Sequence, residues 1–241
     1  MKSLIVVPTY NENRNIEAFI RSVFRHAAAA ELPFETHILV VDDNSPDGTA
    51  DIVQTVQQAE FSDRLFLVVR DRKRGLGTAY IQGFRWGIQK GYAYLAEMDA
   101  DFSHNPIYFF EMMRHRNHWD GMIGSRYVTG GAVTGWGAFR KIISKGGSIY
   151  ARMILGVPIR DLTGGFNIWK RTVLEKVNLS RIRSEGYAFQ IELKYRAYRK
   201  GFRLTEFPIV FYDRRQGQSK MSKKIILEAM ARVWQLKLSD G

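Results

Sequence analysis

The stretch Ile38-Leu39-Val40-Val41-Asp42-Asp43-Asn44-Ser45-Pro46-Asp47-Gly48-Thr49 decides the fold class. Its apolar run, 38–41, has no alternating polar residue, the pattern of a strand buried on both faces. Acidic and turn-forming residues then close the strand, and Asp47-Gly48-Thr49 supplies a turn and a helix start. Similar runs at 4–7, 65–69 and 94–98 alternate with helical patterns. That succession predicts βαβ units, hence an α/β fold around a mainly parallel sheet.

In open sheets of this kind ligands bind beyond the carboxyl ends of the strands, so the strand-end residues are the first candidates for function. Pro8-Thr9-Tyr10-Asn11-Glu12-Asn13 closes the first strand, and Arg74-Gly75-Leu76-Gly77-Thr78-Ala79 places two glycines and a cation at another. Small residues there let a sugar or base approach the backbone, although they also serve a tight turn. Between the first two strands, Ile16, Phe19, Ile20, Val23, Phe24 and Ala27 recur at helical spacing and predict a helix capped by Asn13 or Asn15.

Asp99-Ala100-Asp101 follows the apolar run ending at Met98. Carboxylates two apart at a strand end face the same side. Together they suit one Mg²⁺ or Mn²⁺ ion, which takes oxygen ligands and completes its shell with substrate phosphates. An isolated Asp-x-Asp serves equally as a helix cap, so its neighbours carry the argument. The pair His115 and His118 has no third ligand nearby and reads as a surface helix.

Composition narrows the alternatives. A chain of 241 residues with 45% hydrophobic positions can bury one sizeable core. Cysteine is absent, which excludes disulfides and thiolate metal sites. The net charge of +12 favours polyanionic partners, whether nucleic acid, anionic lipid or phosphorylated substrate. No nucleic-acid-binding motif accompanies that charge, so a nucleic-acid partner is not expected and a basic nucleic-acid-binding protein stays as a remote alternative. Met1-Lys2-Ser3 and the run at 4–7 are too short for a signal-peptide core, so the chain is expected to enter its domain directly. No run reaches the roughly 18 apolar residues of a membrane-spanning helix.

Further along, 121–125 reads as a strand and 127–137 as a long, glycine-rich loop. A helix near 139–155, a strand near 166–169, a helix near 189–200 and a strand near 204–211 follow. At 221–238, Ile226, Met230, Val233 and Trp234 share one helical face beside Lys223, Lys224, Arg232 and Lys237. That helix is amphipathic and suits either a membrane surface or the body of the domain.

Taken in order, the segments Val7-Pro8-Thr9-Tyr10-Asn11-Glu12, 40–49, Gly75-Leu76-Gly77-Thr78-Ala79, 98–104, Gly124-Ser125-Arg126-Tyr127, 161–166 and 213–220 resemble glycosyltransferase family 2. Within it they look like the dolichyl-phosphate mannose synthases and related polyprenyl-phosphate glycosyltransferases, over nearly the whole chain. The resemblance implies a GT-A fold, a Rossmann-like mixed sheet flanked by helices. It implies a catalytic domain over 1–220, with a nucleotide-sugar half at about 1–125 and an acceptor half at about 126–220, followed by the amphipathic helix at 221–241.

It also implies residue roles. Pro8, Tyr10, Glu12, Val41, Asp43, Gly75, Asp99, Ala100 and Asp101 would contact the nucleotide-sugar, Asp99 and Asp101 would hold the metal, and Arg126, Arg140, Ser144, Arg214 and Lys220 would bind the acceptor phosphate. Asp99, Asp101 and Arg126 would be the catalytic set. No role follows for Asp161. Archaeal-type relatives place a glutamine two positions after the second aspartate, where this chain has Ser103 and then His104, which leaves the remaining metal ligands open.

The implied reaction is inverting transfer of mannose from GDP-mannose to a polyprenyl or dolichyl phosphate. The same donor-side motifs would serve a UDP-glucose-dependent glucosyltransferase. Such an enzyme is expected peripherally on the cytoplasmic face of a membrane. It would reach the lipid through the basic C-terminal helix, a small membrane-anchoring subunit or the loop at 127–137.

Overall fold

The protein is described by a computed structural model covering residues 1–182, 184–213 and 223–239. Its strands are β1 (Lys2–Thr9), β2 (Glu35–Asp42), β3 (Leu65–Val69), β4 (Tyr94–Glu97), β5 (Gly121–Ser125), β6 (Ala132–Thr134), β7 (Asn167–Lys170), β8 (Leu204–Pro208) and β9 (Val210–Tyr212). Its helices are α1 (Ile16–Ala29), α2 (Thr49–Glu60), α3 (Leu76–Gln89), α4 (Ile107–Arg114), α5 (Ala138–Leu155), α6 (Arg171–Val177), α7 (Gly186–Arg199) and α8 (Lys223–Ser239).

Seven strands form one sheet in the order β3-β2-β1-β4-β7-β5-β8. All neighbours run parallel except at β7, which is antiparallel to both β4 and β5. The sheet is therefore mixed and mainly parallel, as expected. Alternation along the strands sorts side chains to two faces. Ile5, Val7, Ile38 and Val40 meet α1, α2 and α4, while Leu4, Val6, Leu39 and Val41 meet α3, α6 and α7. A third core joins α5, α7 and α8 around Ile123, Leu162 and Tyr195.

Several details depart from the sequence reading. The loop at 127–137 contains the short strand β6, which pairs with β9 in parallel as a separate two-stranded sheet. Asn15 occupies the N-cap of α1 without a side-chain capping bond, because its amide instead donates to Glu12 Oε2 at 2.9 Å. The common apolar face expected for α8 is divided: Val233 is buried with Leu236 against α5 and α7, whereas Met230 and Trp234 are exposed. The side chain of Ile226 lies outside the described residues.

Helix α3 lies very close to β1, because Gly83 presents no side chain to Val6. A Cβ built there would stand 2.3 Å from Val6 Cγ1. This contact sets how closely α3 packs on β1.

Candidate active site

The ends of β1 and β2 are tied by a side-chain bond in register. Thr9 pairs with Asp42, and its hydroxyl donates to Asp42 Oδ1 at 2.7 Å. Ser45 donates from its backbone N–H and hydroxyl to the same carboxylate, at 2.7 and 2.6 Å. Asp42 is thus a loop fastener, which leaves the next residue to face the cleft. Asp43 is buried and gripped by the Arg70 guanidinium, whose Nη1 also donates to Thr78 Oγ1 at 2.7 Å. Asn11 and Asn44 turn these loops in the left-handed region, at φ 62° and 56°, a conformation asparagine tolerates better than most residues.

Beyond β4, Asp99 accepts a hydrogen bond from the Tyr80 hydroxyl at 3.1 Å. Tyr80 is fully buried, and burial together with the carboxylates of Asp99, Glu97 and Asp101 pushes its pKa well above the usual tyrosine value. It therefore stays protonated and keeps donating. Phe102 adopts φ 59°, a strained conformation for a bulky residue, within a turn where Ser103 N–H donates to Asp101 Oδ1 at 3.0 Å.

Among the described residues no group of three or more His, Asp or Glu side chains could by itself enclose a metal. Two carboxylates of hard oxygen donors opening onto a cleft nevertheless fit a divalent cation that takes its other ligands from water and substrate phosphate.

Beneath this turn lies a buried polar network. Glu97 accepts from Trp169 Nε1 at 2.7 Å, Gln190 Nε2 at 2.5 Å and Asn167 Nδ2 at 3.3 Å. Burial pushes its pKa up, and these donors with Lys194 partly counter the shift. Lys194, also fully buried, donates to the carbonyls of Asp161, Leu162 and Gly164 at 3.2, 3.2 and 2.6 Å, and burial lowers its pKa. The loop bearing Asp161 is thereby held from below.

Asp161 in turn fixes Arg126. Nε and Nη2 each donate at 2.7 Å to separate carboxylate oxygens, and Nη2 reaches Thr163 Oγ1 at 2.9 Å. Burial alone would raise the Asp161 pKa, but the Arg126 charge and hydrogen bonds outweigh it and hold the carboxyl below its ordinary value. The guanidinium lies 5.0–5.7 Å from the ring centres of Tyr127, Phe211 and Trp136. Arg140 stacks 4.1 Å over Trp136 and pairs with Asp213 at 2.9 Å.

These groups surround one cleft of about 660 Å³. Of the residues expected from sequence, Pro8, Tyr10, Glu12, Asp43, Gly75, Asp99, Ala100, Asp101, Arg126 and Arg140 line it. Val41 is fully buried in the α3-side core, and Ser144 is buried beneath Tyr127, whose hydroxyl donates to it at 2.8 Å; neither lines the cleft. Arg214 and Lys220 lie outside the described residues. His115 and His118 are exposed at the end of α4 and in the turn after it.

Residues 4–177 match the family model described as Glycosyl transferase family 2. The chain belongs to that family. This family 2 transferase is 44% identical over 236 residues to a polyprenol monophosphomannose synthase of Mycolicibacterium smegmatis, covering 96% of this chain and 85% of the relative. It is 42% identical over 233 residues to an undecaprenyl-phosphate mannosyltransferase of Micrococcus luteus, covering 97% and 93%. In fold it is similar to a mannosyltransferase of Pyrobaculum calidifontis solved with GDP-Man and Mn²⁺, at TM-score 0.65 and 16% identity over 99% of this chain and 64% of the other. A glucosyl-3-phosphoglycerate synthase of Mycobacterium tuberculosis, solved with Mn²⁺ and UDP, gives TM-score 0.70 at 14% identity over 98% and 78%. These structural neighbours share the GT-A architecture.

Several cleft residues of the transferase were assigned no role from the sequence. Lys73, 3.7 Å above the Tyr10 ring, is hidden in a run of basic residues. His104 is buried 5.2 Å from the ring centres of Phe166 and Phe211. Glu185 and Gln190 enter from the start of α7. Arg232 comes from α8, where it donates to Ser184 Oγ at 2.8 Å and pairs with Glu192 at 3.2 Å. Helix α8 thus contributes Arg232 to the lining of the cleft.

Proposed function

We propose that this glycosyltransferase moves mannose from GDP-mannose to a polyprenyl monophosphate at a membrane surface, giving a β-linked polyprenyl-phosphate mannose. The observation that carries this reading is a single cleft lined both by Asp99 and Asp101 and by Arg126 and Arg140. Such a cleft suits a diphosphate leaving group beside an anionic acceptor. The two mannose-transferring relatives support the sugar and the lipid class. On this reading 1–125 forms the donor half, 126–220 the acceptor half, and 221–241 the attached helix.

Asp43, gripped by Arg70, and Glu12 offer carboxylate oxygens to the nucleoside, and Gly75 lets it approach the backbone. Asp99 and Asp101 would hold Mg²⁺ or Mn²⁺, which when bound neutralises charge on the departing diphosphate. Tyr80 orients Asp99 for that task. Arg126, set by Asp161, and Arg140 would align the acceptor phosphate, with Arg214 and Lys220 assigned to the same group.

A phosphate monoester, with a second pKa near 6, is already largely anionic at neutral pH. Its oxygen therefore needs no general base, and catalysis rests on alignment and on charge placed before reaction. The acceptor oxygen forms the new bond to the anomeric carbon as the bond to the nucleoside diphosphate breaks, which inverts that centre.

The test is transfer of radiolabelled sugar to a polyprenyl phosphate in detergent, from GDP-mannose or UDP-glucose, with Mn²⁺ or Mg²⁺ and with EDTA. Metal-dependent mannosyl lipid from GDP-mannose is expected. Product from UDP-glucose alone would replace the sugar, and no lipid product from either donor would overturn the acceptor.

A further inference from the structure

Helix α5 carries side chains of opposite allegiance. Ser144, Ser148, Ala151 and Leu155 face the core. On the other side Phe139, Ile142, Ile149 and Met153 are 75%, 69%, 46% and 77% exposed. At 100° per residue these four fall within an arc of about 80°. Exposed Lys141, Lys145 and Arg152 form the border between the two faces. A helix resting on a domain in water normally turns polar residues outward, and a continuous apolar row on the solvent side marks an interaction surface.

Helix α8 carries a second exposed apolar row. It packs beside α5, where the Tyr150 hydroxyl donates to the Met230 carbonyl at 3.4 Å. Its own exposed row is Met230, Trp234 and Leu238, spaced four residues apart with Lys237 beside it. Tryptophan together with flanking lysine is the pairing that suits the boundary between lipid headgroups and acyl chains.

We propose that the outer face of α5, with Met230, Trp234 and Leu238 of α8, docks on an anionic bilayer. The inference rests on the reading of a membrane-held acceptor and identifies the surface that would reach it. Charge selects the bilayer over a second copy of the chain. Residues 138–155 include Arg140, Lys141, Lys145 and Arg152 but no aspartate or glutamate, so two copies meeting through this face would oppose like charges, whereas anionic headgroups complement them. The same helix begins beside the cleft, since Arg140 lines it. Docking along α5 therefore brings the acceptor side of the cleft to the headgroup layer.

Co-sedimentation of the whole chain with phosphatidylcholine vesicles, with and without phosphatidylglycerol, tests this directly. The wild type should bind the anionic vesicles. The combined variant Ile142→Ser, Ile149→Ser, Met153→Ser should bind at least about tenfold more weakly. A second variant, Lys141→Gln, Lys145→Gln, Arg152→Gln, should lose about fivefold per charge, on anionic vesicles only.

Unchanged partition of both variants, or a wild type indifferent to vesicles, would overturn the proposal. So would a wild-type dimer in light scattering that the apolar variant converts to monomer, because the face would then join two copies. The apolar variant should transfer sugar at the wild-type rate to a short, water-dispersed polyprenyl phosphate and lose rate when the acceptor is embedded in vesicles. A wild type that binds vesicles yet transfers to neither acceptor would reject the acceptor reading and leave the docking surface standing.

Discussion

Arg126 and Asp161 meet through two parallel hydrogen bonds of 2.7 Å, entirely within the protein. A guanidinium offered to a phosphate must keep its orientation when the site is empty, and a two-point carboxylate contact does that better than one. The pair is therefore a positioning device as much as a charge.

Replacing Asp161 with Asn should cost about 3–5 kcal/mol, because it strands a buried cation. Urea denaturation would measure the loss. The pH dependence has a definite sign. Asp161 has a folded pKa held below its unfolded value, so its contribution is complete above the unfolded value and disappears as pH falls through the folded one. The variant should lose less stability than the wild type on acidification below the ordinary carboxylate range.

Asp101→Asn should lower kcat about 10²–10³-fold, the usual effect of removing one group that stabilises developing charge. It should also abolish the rise in melting temperature given by GDP with Mn²⁺. A wild-type thermal shift in the variant would place the metal elsewhere.

Tyr80→Phe keeps the ring that stacks on Phe189 at 6.0 Å but removes the donor to Asp99. Half-saturating Mn²⁺ should rise about 10–100-fold, as for other groups that orient a metal-binding side chain. Stability in urea should change by only about 1 kcal/mol.

Gly83→Ala should destabilise by about 1–3 kcal/mol, since its methyl group would overlap Val6. Activity per folded molecule should fall little, which separates this packing contact from the site. Chemical denaturation and specific activity on the same preparation decide the point.

Periodicity and turn chemistry expose what is local. The buried runs at 38–41 and 4–7, the stripe from Ile16 to Phe24 and the acidic strand ends are each read within a few residues, and all appear in the structure. Arg126 and Asp161 stand 35 residues apart, and Arg70 pairs with Asp43 across 27. Neither pairing leaves a trace in spacing. Lys194 looks like any basic residue of a surface helix until the three carbonyls around it are seen. Helix α4 had no expected counterpart, because its run Ile107-Tyr108-Phe109-Phe110-Glu111-Met112-Met113 is apolar without a clear helical stripe.

The reversed strand β7 puts Asn167 directly opposite Glu97 in register, and both touch Gln190 of α7. The strand that leads into Asp99 is thus bonded to residues from the later part of the chain. Enzymes recombined from two family members at residue 125, in the hope of exchanging donor preference, would separate Glu97 from its native Asn167, Trp169 and Gln190. Such hybrids would need those three positions transplanted together with the donor segment.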